Sequence, residues 1–167
     1  MKYEFVKSKN ETTFKDLKPG DWFLPIDYEE IVTPILKIEE IEDFNSVAAS
    51  DNSVAANGDE FCFEDEAKVK LITVHCEGIF SLNGVETIPY MEVLKLISGD
   101  VIFKDRDFWL ILNCTDSDGN DYAANLRNGI VIPLKNKHSY VYNLTNAVQL
   151  KVMEGDWLIN EIYNSSK

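Results

Sequence analysis

Turn-forming residues divide this chain into short segments that are rich in β-branched and aromatic residues. Asn57-Gly58, Asn83-Gly84 and Asp118-Gly119 each offer the positive-φ positions that a tight hairpin requires. Between such turns lie runs of strand length, for example residues 69–74 and 108–113. This pattern predicts a mainly β protein with short helices, built as two small domains of the β-barrel or β-sandwich type.

The strand pattern is interrupted once, near the middle of the chain. Residues 1–77 are expected to form an acidic small β-domain, followed by a hairpin connector at residues 78–85. Residues 86–163 are expected to form a second small β-domain that opens with a short helix, because Pro89 suits the first position of a helix. The tail at residues 164–167 is expected to fray.

The two halves share short sequence matches. The matching segments are residues 17–23 with 96–102, 52–57 with 120–125, and 69–71 with 148–150. Each half also has a Gly-Asp pair, at Gly20 and at Gly99, where glycine is expected to take a positive φ and aspartate to accept backbone N–H groups. The matches leave two interpretations open, a divergent duplication and chance agreement between short fragments.

Acidity is the strongest feature of the composition. The chain has 29 acidic and 16 basic residues, and its formal net charge is -13. Residues 1–80 carry most of this charge, with 18 acids against 8 bases. A field of this sign repels a nucleic-acid backbone, so we expect no direct binding of DNA or RNA. The acids then form either a solvated surface or a face that docks onto a basic partner.

Neither secretion nor membrane insertion is expected from the sequence. Charged residues interrupt residues 1–20, which therefore lack the long apolar run of a signal peptide. No stretch approaches the roughly 20 apolar residues that span a bilayer. The three cysteines, Cys62, Cys76 and Cys114, are an odd and widely spaced set, which disfavours a disulfide framework. We expect the protein to stay in the cytoplasm in which it is made, with its oligomeric state open, a homo-oligomer included.

The sequence contains no convincing catalytic or metal-binding motif. Asp116 begins an acidic loop, but the glycine and closing glutamate of a calcium-binding loop are missing from the required positions. His75 and Cys76 are neighbours on a predicted strand, so they point to opposite faces and cannot act as a base and its thiol. We therefore predict a binding protein without enzymatic activity, cofactor or metal.

Aromatic and basic residues are concentrated in the second half. The aromatic residues are Trp109, Tyr122, Tyr140, Tyr142 and Trp157, and the basic residues are Lys104, Arg106, Arg127, Lys135 and Lys137. Flat apolar side chains that stack on a base, together with cations that bind phosphate, are what a nucleotide site needs. An ordinary aromatic core with a few solvated bases would give the same composition.

Several short motifs of the second half resemble a group of small phage proteins that includes the Thoeris anti-defence 2 type. The helix segment at residues 86–96, the turn Gly99-Asp100-Val101, Trp109 and the terminal segment at residues 152–159 follow the order of that group's pattern. The first half resembles another small phage β-domain that opens with Thr-Phe-x-Asp-Leu-x-x-Gly-Asp. The resemblance covers less than half of the chain.

The resemblance implies a phage or prophage origin and a role against host defence. In the anti-defence branch, that role is to sequester a cyclic-nucleotide signal without chemistry. The sequence departs from the group in one respect. In the group a basic cluster usually follows the turn that Gly99-Asp100-Val101 matches, whereas here Asp100, Asp105 and Asp107 dilute the basic residues Lys104 and Arg106. This departure weakens the transfer of nucleotide binding to this chain.

Two functional hypotheses follow. The leading hypothesis is a phage counter-defence protein that binds a nucleotide-like signal through Trp109, Tyr122, Arg127 and Trp157, with Lys104 and Arg106 as phosphate contacts. The alternative is an acidic inhibitor that mimics nucleic acid and occupies a basic surface of a host defence complex, such as a CRISPR effector. Its docking residues would be Glu39, Glu40, Glu42, Asp43, Asp59, Glu60, Glu64, Asp65 and Glu66.

Overall fold

The computed structural model describes residues 11–31, 33–41, 51–78, 87–89, 97–134, 140–143, 148–154 and 157–164, and the side chains of residues 11–31, 33–41, 51–75 and 97–134. The strands within these ranges are β1 Glu11–Thr13, β2 Trp22–Pro25, β3 Ile35–Ile41, β4 Asp51–Ala55, β5 Glu60–Phe61, β6 Lys68–Gly78, β7 Thr87–Pro89, β8 Val101–Lys104, β9 Asp107–Thr115, β10 Asp121–Asn125, β11 Val131–Pro133, β12 Tyr140–Asn143, β13 Val148–Glu154 and β14 Trp157–Asn164. The predicted mainly β fold is confirmed.

Helical structure within the described residues is limited to a 3₁₀ turn at Phe14–Asp16. The helix predicted to begin at Pro89 and to end at Ile97 is wrong at both described positions, because Pro89 belongs to strand β7 and Ile97 is not helical. Residues 90–96 lie outside the described residues. The predicted hairpin connector also lies outside them, apart from Gly78, which ends β6.

The described strands form two antiparallel sheets. The larger sheet has the order β14-β13-β6-β2-β3-β4-β5, with β1 also paired to β6, and the smaller sheet has the order β11-β10-β9-β8-β12-β7. Both orders end in strands that do not meet each other, so neither sheet closes into a barrel across its described strands. The arrangement is that of two open sheets packed together.

The two halves repeat the same topology. In the first half β2 pairs with β3 and β6, β3 with β4, β4 with β5, and β1 with β6. In the second half β8 pairs with β9 and β12, β9 with β10, β10 with β11, and β7 with β12. The hairpin of β13 and β14 is an addition, and it extends the larger sheet beyond β6.

The residue register repeats as well. Trp22 pairs with Leu36 in the first half as Val101 pairs with Leu110 in the second. The same correspondence relates β4 to β10, so that Ala55 is the counterpart of Asn125. An equal topology with an equal register supports a divergent duplication over chance agreement, the two interpretations that the sequence left open.

Two of the sequence matches need correction. The match of residues 52–57 with 120–125 falls on equivalent strands but is displaced, since Ala55 corresponds to Asn125. The match of residues 69–71 with 148–150 is wrong, because β6 corresponds to β12, whereas β13 is a direct hydrogen-bonding partner of β6. The match around Gly20 and Gly99 falls on equivalent turns.

One hydrophobic core joins the inner faces of both sheets. Five pairs of its buried residues occupy equivalent positions of the two halves, and Ile41 of the first half adds an eleventh. The pairs are Trp22 and Val101, Leu36 and Leu110, Ile38 and Leu112, Val54 and Ala124, and Ala56 and Leu126. Alternation along each strand places these side chains on one face. Both this core and the larger sheet cross the predicted boundary at residues 78–85, and the division into two domains stays a prediction.

A reciprocal pair of turns locks the halves together. Gly20 has φ +99° and packs against the backbone of Arg127 and Asn128, while Gly99 has φ +91° and packs against Asn57. In both turns the following aspartate accepts a backbone N–H, Lys18 to Asp21 and Ile97 to Asp100, which confirms the role predicted for the Gly-Asp pairs. This contact between turns positions the cleft described below.

Candidate ligand cleft

A cleft lies where the two halves meet, beside the Gly20 turn. Its volume is about 380 Å³, within the range of about 300–1,000 Å³ that small-molecule sites occupy. Its walls are mostly apolar, with one acidic and one basic side chain at the rim. The lining residues are Gly20, Trp22 and Val74 from the first half and Asp107, Phe108, Leu126 and Arg127 from the second.

Arg127 is held at this cleft by its neighbours. Its Nε donates to Oδ2 of Asp107 at 3.2 Å, and Nη2 binds the same oxygen. Its backbone N–H donates to Oδ1 of Asn125 at 2.9 Å. Because 76% of the Arg127 side chain remains exposed, the guanidinium can still offer N–H groups to a ligand.

Asn125 fixes both the turn and the carboxylate below Arg127. It is 2% exposed, donates from Nδ2 to Oδ2 of Asp107 at 3.0 Å, and accepts the backbone N–H groups of Arg127 and Asn128. Partial burial alone would raise the pKa of Asp107, but the hydrogen bonds from Asn125 and Arg127 and the positive charge of Arg127 outweigh it. The pKa of Asp107 therefore lies below its ordinary value, and the carboxylate stays charged.

The equivalent contact on the other side of the molecule joins the Gly99 turn to the Asn57-Gly58 turn. There, Ser98 donates from Oγ to the carbonyl of Asn57 at 2.9 Å. A Cβ at Gly58 would lie 2.2 Å from the same Oγ, so the two turns touch directly. By register, Ala55 of the first half corresponds to Asn125 of the second. One residue, Ala56, separates Ala55 from Asn57-Gly58, whereas two residues, Leu126 and Arg127, separate Asn125 from Asn128-Gly129. The second turn is therefore one residue longer. The internal symmetry is broken at the cleft.

The predicted phosphate contacts lie next to this site. Lys104 and Arg106 belong to the β8–β9 hairpin, which leads directly into Asp107. Asp105 and Arg106 have φ of 52° and 64°, so the tip of this hairpin is formed by two left-handed residues that are not glycine. Lys104 forms an ion pair with Asp105. The hairpin carries two of the predicted cations, and the turn between β10 and β11 places the third, Arg127, at the same end of the smaller sheet.

The predicted aromatic residues are not gathered in the same way. Trp109 is 8% exposed, its Nε1 donates to the carbonyl of Lys104 at 3.0 Å, and it belongs to a separate cluster on the outer face of the smaller sheet. Tyr122 packs instead against the core shared by the halves. Trp157 lies in β14, and its side chain is outside the described set. A single flat ligand cannot stack on both Trp109 and Tyr122.

The apolar wall and the positioning residues of the cleft are not among the residues predicted for the site. Trp22 and Phe108 line the cleft, and Trp22 also joins the shared core. Asp107, expected only to interrupt the basic cluster, anchors Arg127. The sequence holds one signal for Asn125, because it ends the segment 120–125 that matches residues 52–57.

Some of the acidic residues that the alternative hypothesis assigns to docking lie near one another. Glu39 and Glu40 are both exposed at the irregular end of β3, and Asp59, Glu64, Asp65 and Glu66 are exposed as well. Burial raises the pKa of the Cys62 thiol, and the charges of Asp51, Glu40 and Glu64 raise it further, which places both clusters near this residue. Glu60 is half-buried, and burial raises its pKa. Glu42 and Asp43 lie outside the described residues.

The described residues hold no group of three or more His, Cys, Asp or Glu side chains that could bind a metal ion. The loop at Asp116 is a tight turn, in which its carboxylate accepts the backbone N–H groups of Asp118 and Asn120 and Gly119 takes φ +80°. No helix in the described part of the chain is long and apolar enough to cross a membrane.

Comparison of the chain with protein-family models, with curated proteins and with solved structures finds no match. The fold and the cleft therefore define the class of protein: an internally repeated, mainly β protein with a cleft between its halves. The resemblance to small phage proteins stays a prediction.

Proposed function

We propose that this chain is a non-catalytic binding protein whose cleft takes a small, negatively charged, planar ligand of the nucleotide class. The observation that carries the proposal is the fixed position of Arg127. A cation that is anchored by Asp107 and Asn125 stands at the rim of an apolar cleft, in a protein whose net charge is -13.

The two parts of such a ligand suit the two parts of the cleft. Apolar walls formed with Trp22 and Phe108 can remove a flat base from water. The guanidinium of Arg127 can bind a phosphate oxygen through charge-assisted hydrogen bonds, which are stronger than neutral ones. Holding Arg127 in place before binding lowers the entropy that would be lost when a ligand orders it.

The resemblance to small phage proteins gives this binding a biological setting. A protein that binds a cyclic-nucleotide immune signal without chemistry would lower the free concentration of that signal. We propose that this chain acts in this way, as a phage or prophage counter-defence protein in the cytoplasm of the host cell.

A thermal-shift screen tests the proposal. Cyclic oligonucleotides and cyclic ADP-ribose isomers are added at saturating concentration, and a ligand at a hundred times its Kd should raise Tm by about 5–10 °C. Arg127→Ala should abolish the shift. Lys68→Ala, which removes an exposed cation that is not part of the cleft wall, is the matched control and should retain it. No shift with any member of the panel would refute the nucleotide class.

A second function is favoured by a different observation. Burial raises the pKa of the Cys62 thiol, and the exposed Glu40 and Glu64, one from each acidic cluster, raise it further, so parts of the two clusters lie near this residue. An acidic surface there could occupy the basic groove of a host defence complex by standing in for nucleic acid. Complexes of this kind form fast and weaken steeply with salt.

A phage-protection assay separates the two functions. Reversing the charges of Glu39, Glu40, Glu64, Asp65 and Glu66 should abolish protection by an acidic inhibitor and leave a ligand-sequestering protein active. Arg127→Ala should have the opposite effect. If both variants protect the phage as well as the parent protein does, neither function applies.

A further inference from the structure

The charge balance at the rim of the cleft carries an inference about the class of phosphate, and it rests on the proposed function. Arg127 does not stand alone, because Asp107 lies against it with Oδ2 at 3.2 Å from Nε. The pair together contributes no net charge. We propose that the cleft selects phosphodiesters, which carry one negative charge on each phosphate, over phosphomonoesters, which carry nearly two at neutral pH.

Asp107 lies where its carboxylate would repel the second negative charge of a phosphomonoester. Its side chain is 16% exposed, so little water screens it, while Arg127 reaches out of the cleft. Hydrogen bonds from Asn125 and Arg127 keep the carboxylate ionised. A phosphate that binds the outer N–H groups of Arg127 therefore lies one guanidinium group away from a fixed negative charge, and Coulomb repulsion grows with each charge that the phosphate carries.

The described charges beside the cleft leave a small positive excess. On the neighbouring hairpin Lys104 is paired with Asp105, and Arg106 is a further exposed cation, so these three residues and the Arg127–Asp107 pair sum to one positive charge. The rest of the molecule adds a field of the same sign as the ligand, because the formal net charge is -13. A singly charged phosphate offsets this small excess, whereas the additional charge of a monoester is repelled by Asp107 and by the net negative charge of the protein.

Asn125 is the positioning residue of this arrangement. It holds Asp107 through Nδ2 and the Arg127 backbone through Oδ1, so both partners depend on one buried side chain. Its counterpart in the first half is Ala55, which has no side chain that could do this. Asn125 therefore fixes the position of Arg127, and Asp107 determines whether a singly or a doubly charged phosphate binds more tightly.

Two pairs of probes test the inference by isothermal titration calorimetry on the full chain. 3′,5′-cyclic AMP is compared with 5′-AMP, and cyclic di-AMP with linear pApA, so that each pair shares its bases and differs by a monoester phosphate. At pH 7.5 the cyclic member should bind at least about fivefold more tightly. At pH 5.5 the monoester takes up a proton, since its second pKa is about 6, and the two affinities should converge.

The cyclic member also reports any titration of the protein, because its own charge does not change between these pH values. Equal or tighter binding of the monoester at pH 7.5 would overturn the inference and leave the proposed function standing. If no member of either pair binds, the inference falls, and the wider screen described above decides whether the nucleotide class falls with it.

Two variants distinguish charge selection from simple support of the site. Asp107→Asn removes the negative charge, so it should narrow or reverse the preference for the cyclic member at pH 7.5. Asn125→Ala should lower the affinity for both members by a similar factor, because it loosens Arg127 without changing the local charge. A preference that is unchanged in Asp107→Asn, with a native melting transition, would contradict the assigned role of Asp107.

Discussion

Replacing Gly20 with alanine should destabilise the protein by more than a change of backbone conformation can explain. Gly20 has φ +99°, and a Cβ built there would lie 2.6 Å from the carbonyl oxygen of Arg127 and 2.8 Å from Cα of Asn128. Both atoms belong to the backbone of the other half, so neither can move aside as a side chain would. The substitution therefore presses the two halves apart.

The expected magnitude has two parts. An L-residue with a side chain costs about 1–2 kcal/mol in the left-handed region, and overpacking against a fixed neighbour adds about 1–3 kcal/mol. The control is Gly119→Ala, because Gly119 also has a positive φ, of +80°, and a Cβ there would meet nothing within 4 Å. Only the first part applies to the control.

Urea unfolding followed by tryptophan fluorescence measures both variants, with the free energy of unfolding obtained by linear extrapolation. Gly20→Ala should lose about 1–3 kcal/mol more than Gly119→Ala. Equal losses would refute the argument that the Gly20 turn locks the halves together. A loss of ligand binding in Gly20→Ala at full stability would show instead that the turn matters for the cleft alone.

Three further predictions concern stability. Leu36→Ala and Leu110→Ala remove equivalent, fully buried side chains of the shared core and should each cost about 2–5 kcal/mol in urea unfolding; a loss confined to one of them would argue against a common core. Replacing Asp105 and Arg106 with Asn-Gly should raise Tm, because both residues have positive φ and Asn-Gly suits such a turn. Because the pKa of Asp107 is lower in the folded than in the unfolded state, its carboxylate stabilises the fold at pH values above the unfolded pKa. The free energy of unfolding of Asp107→Asn should therefore be lower than that of the parent protein at pH 7, and this difference should vanish as the pH falls through the folded pKa.

Local signals in the sequence were enough to predict the strands and turns. A turn requires a positive φ within a few residues, and Gly20, Gly99 and Gly119 meet that requirement where the sequence indicated it. The mainly β class follows from many such turns between short apolar segments. These features depend on nearest neighbours, so one sequence is sufficient to infer them.

The correspondence between the halves could be inferred only where the local chemistry repeats. The Gly20 and Gly99 turns match because both need the same backbone conformation. The match of residues 69–71 with 148–150 is wrong because β6 and β13 are hydrogen-bonding partners and not equivalent strands of the repeat. Both kinds of strand are rich in β-branched and apolar residues, so the sequence does not distinguish them. Strand register depends on long-range pairing, which short fragments do not encode.

The site was only partly predictable for a similar reason. Arg127 could be selected as a cation among aromatic residues, and the structure does place it at the cleft. Trp109 could not be separated from core residues, because a side chain that stacks on a ligand and one that packs in a core have the same composition. Asp107 and Asn125 act through hydrogen bonds between strands that are distant in sequence.

The internal repeat separates what folding requires from what it does not. Leu36 and Leu110 are both apolar because each fills the shared core at the same position. At the position of Asn125 the first half has Ala55, and alanine is buried there without any hydrogen-bonding side chain. Burying an amide is costly unless its partners are arranged around it. Since the fold does without this arrangement in one of its two copies, the arrangement is best explained by what it holds in the other, which is Arg127 at the rim of the cleft.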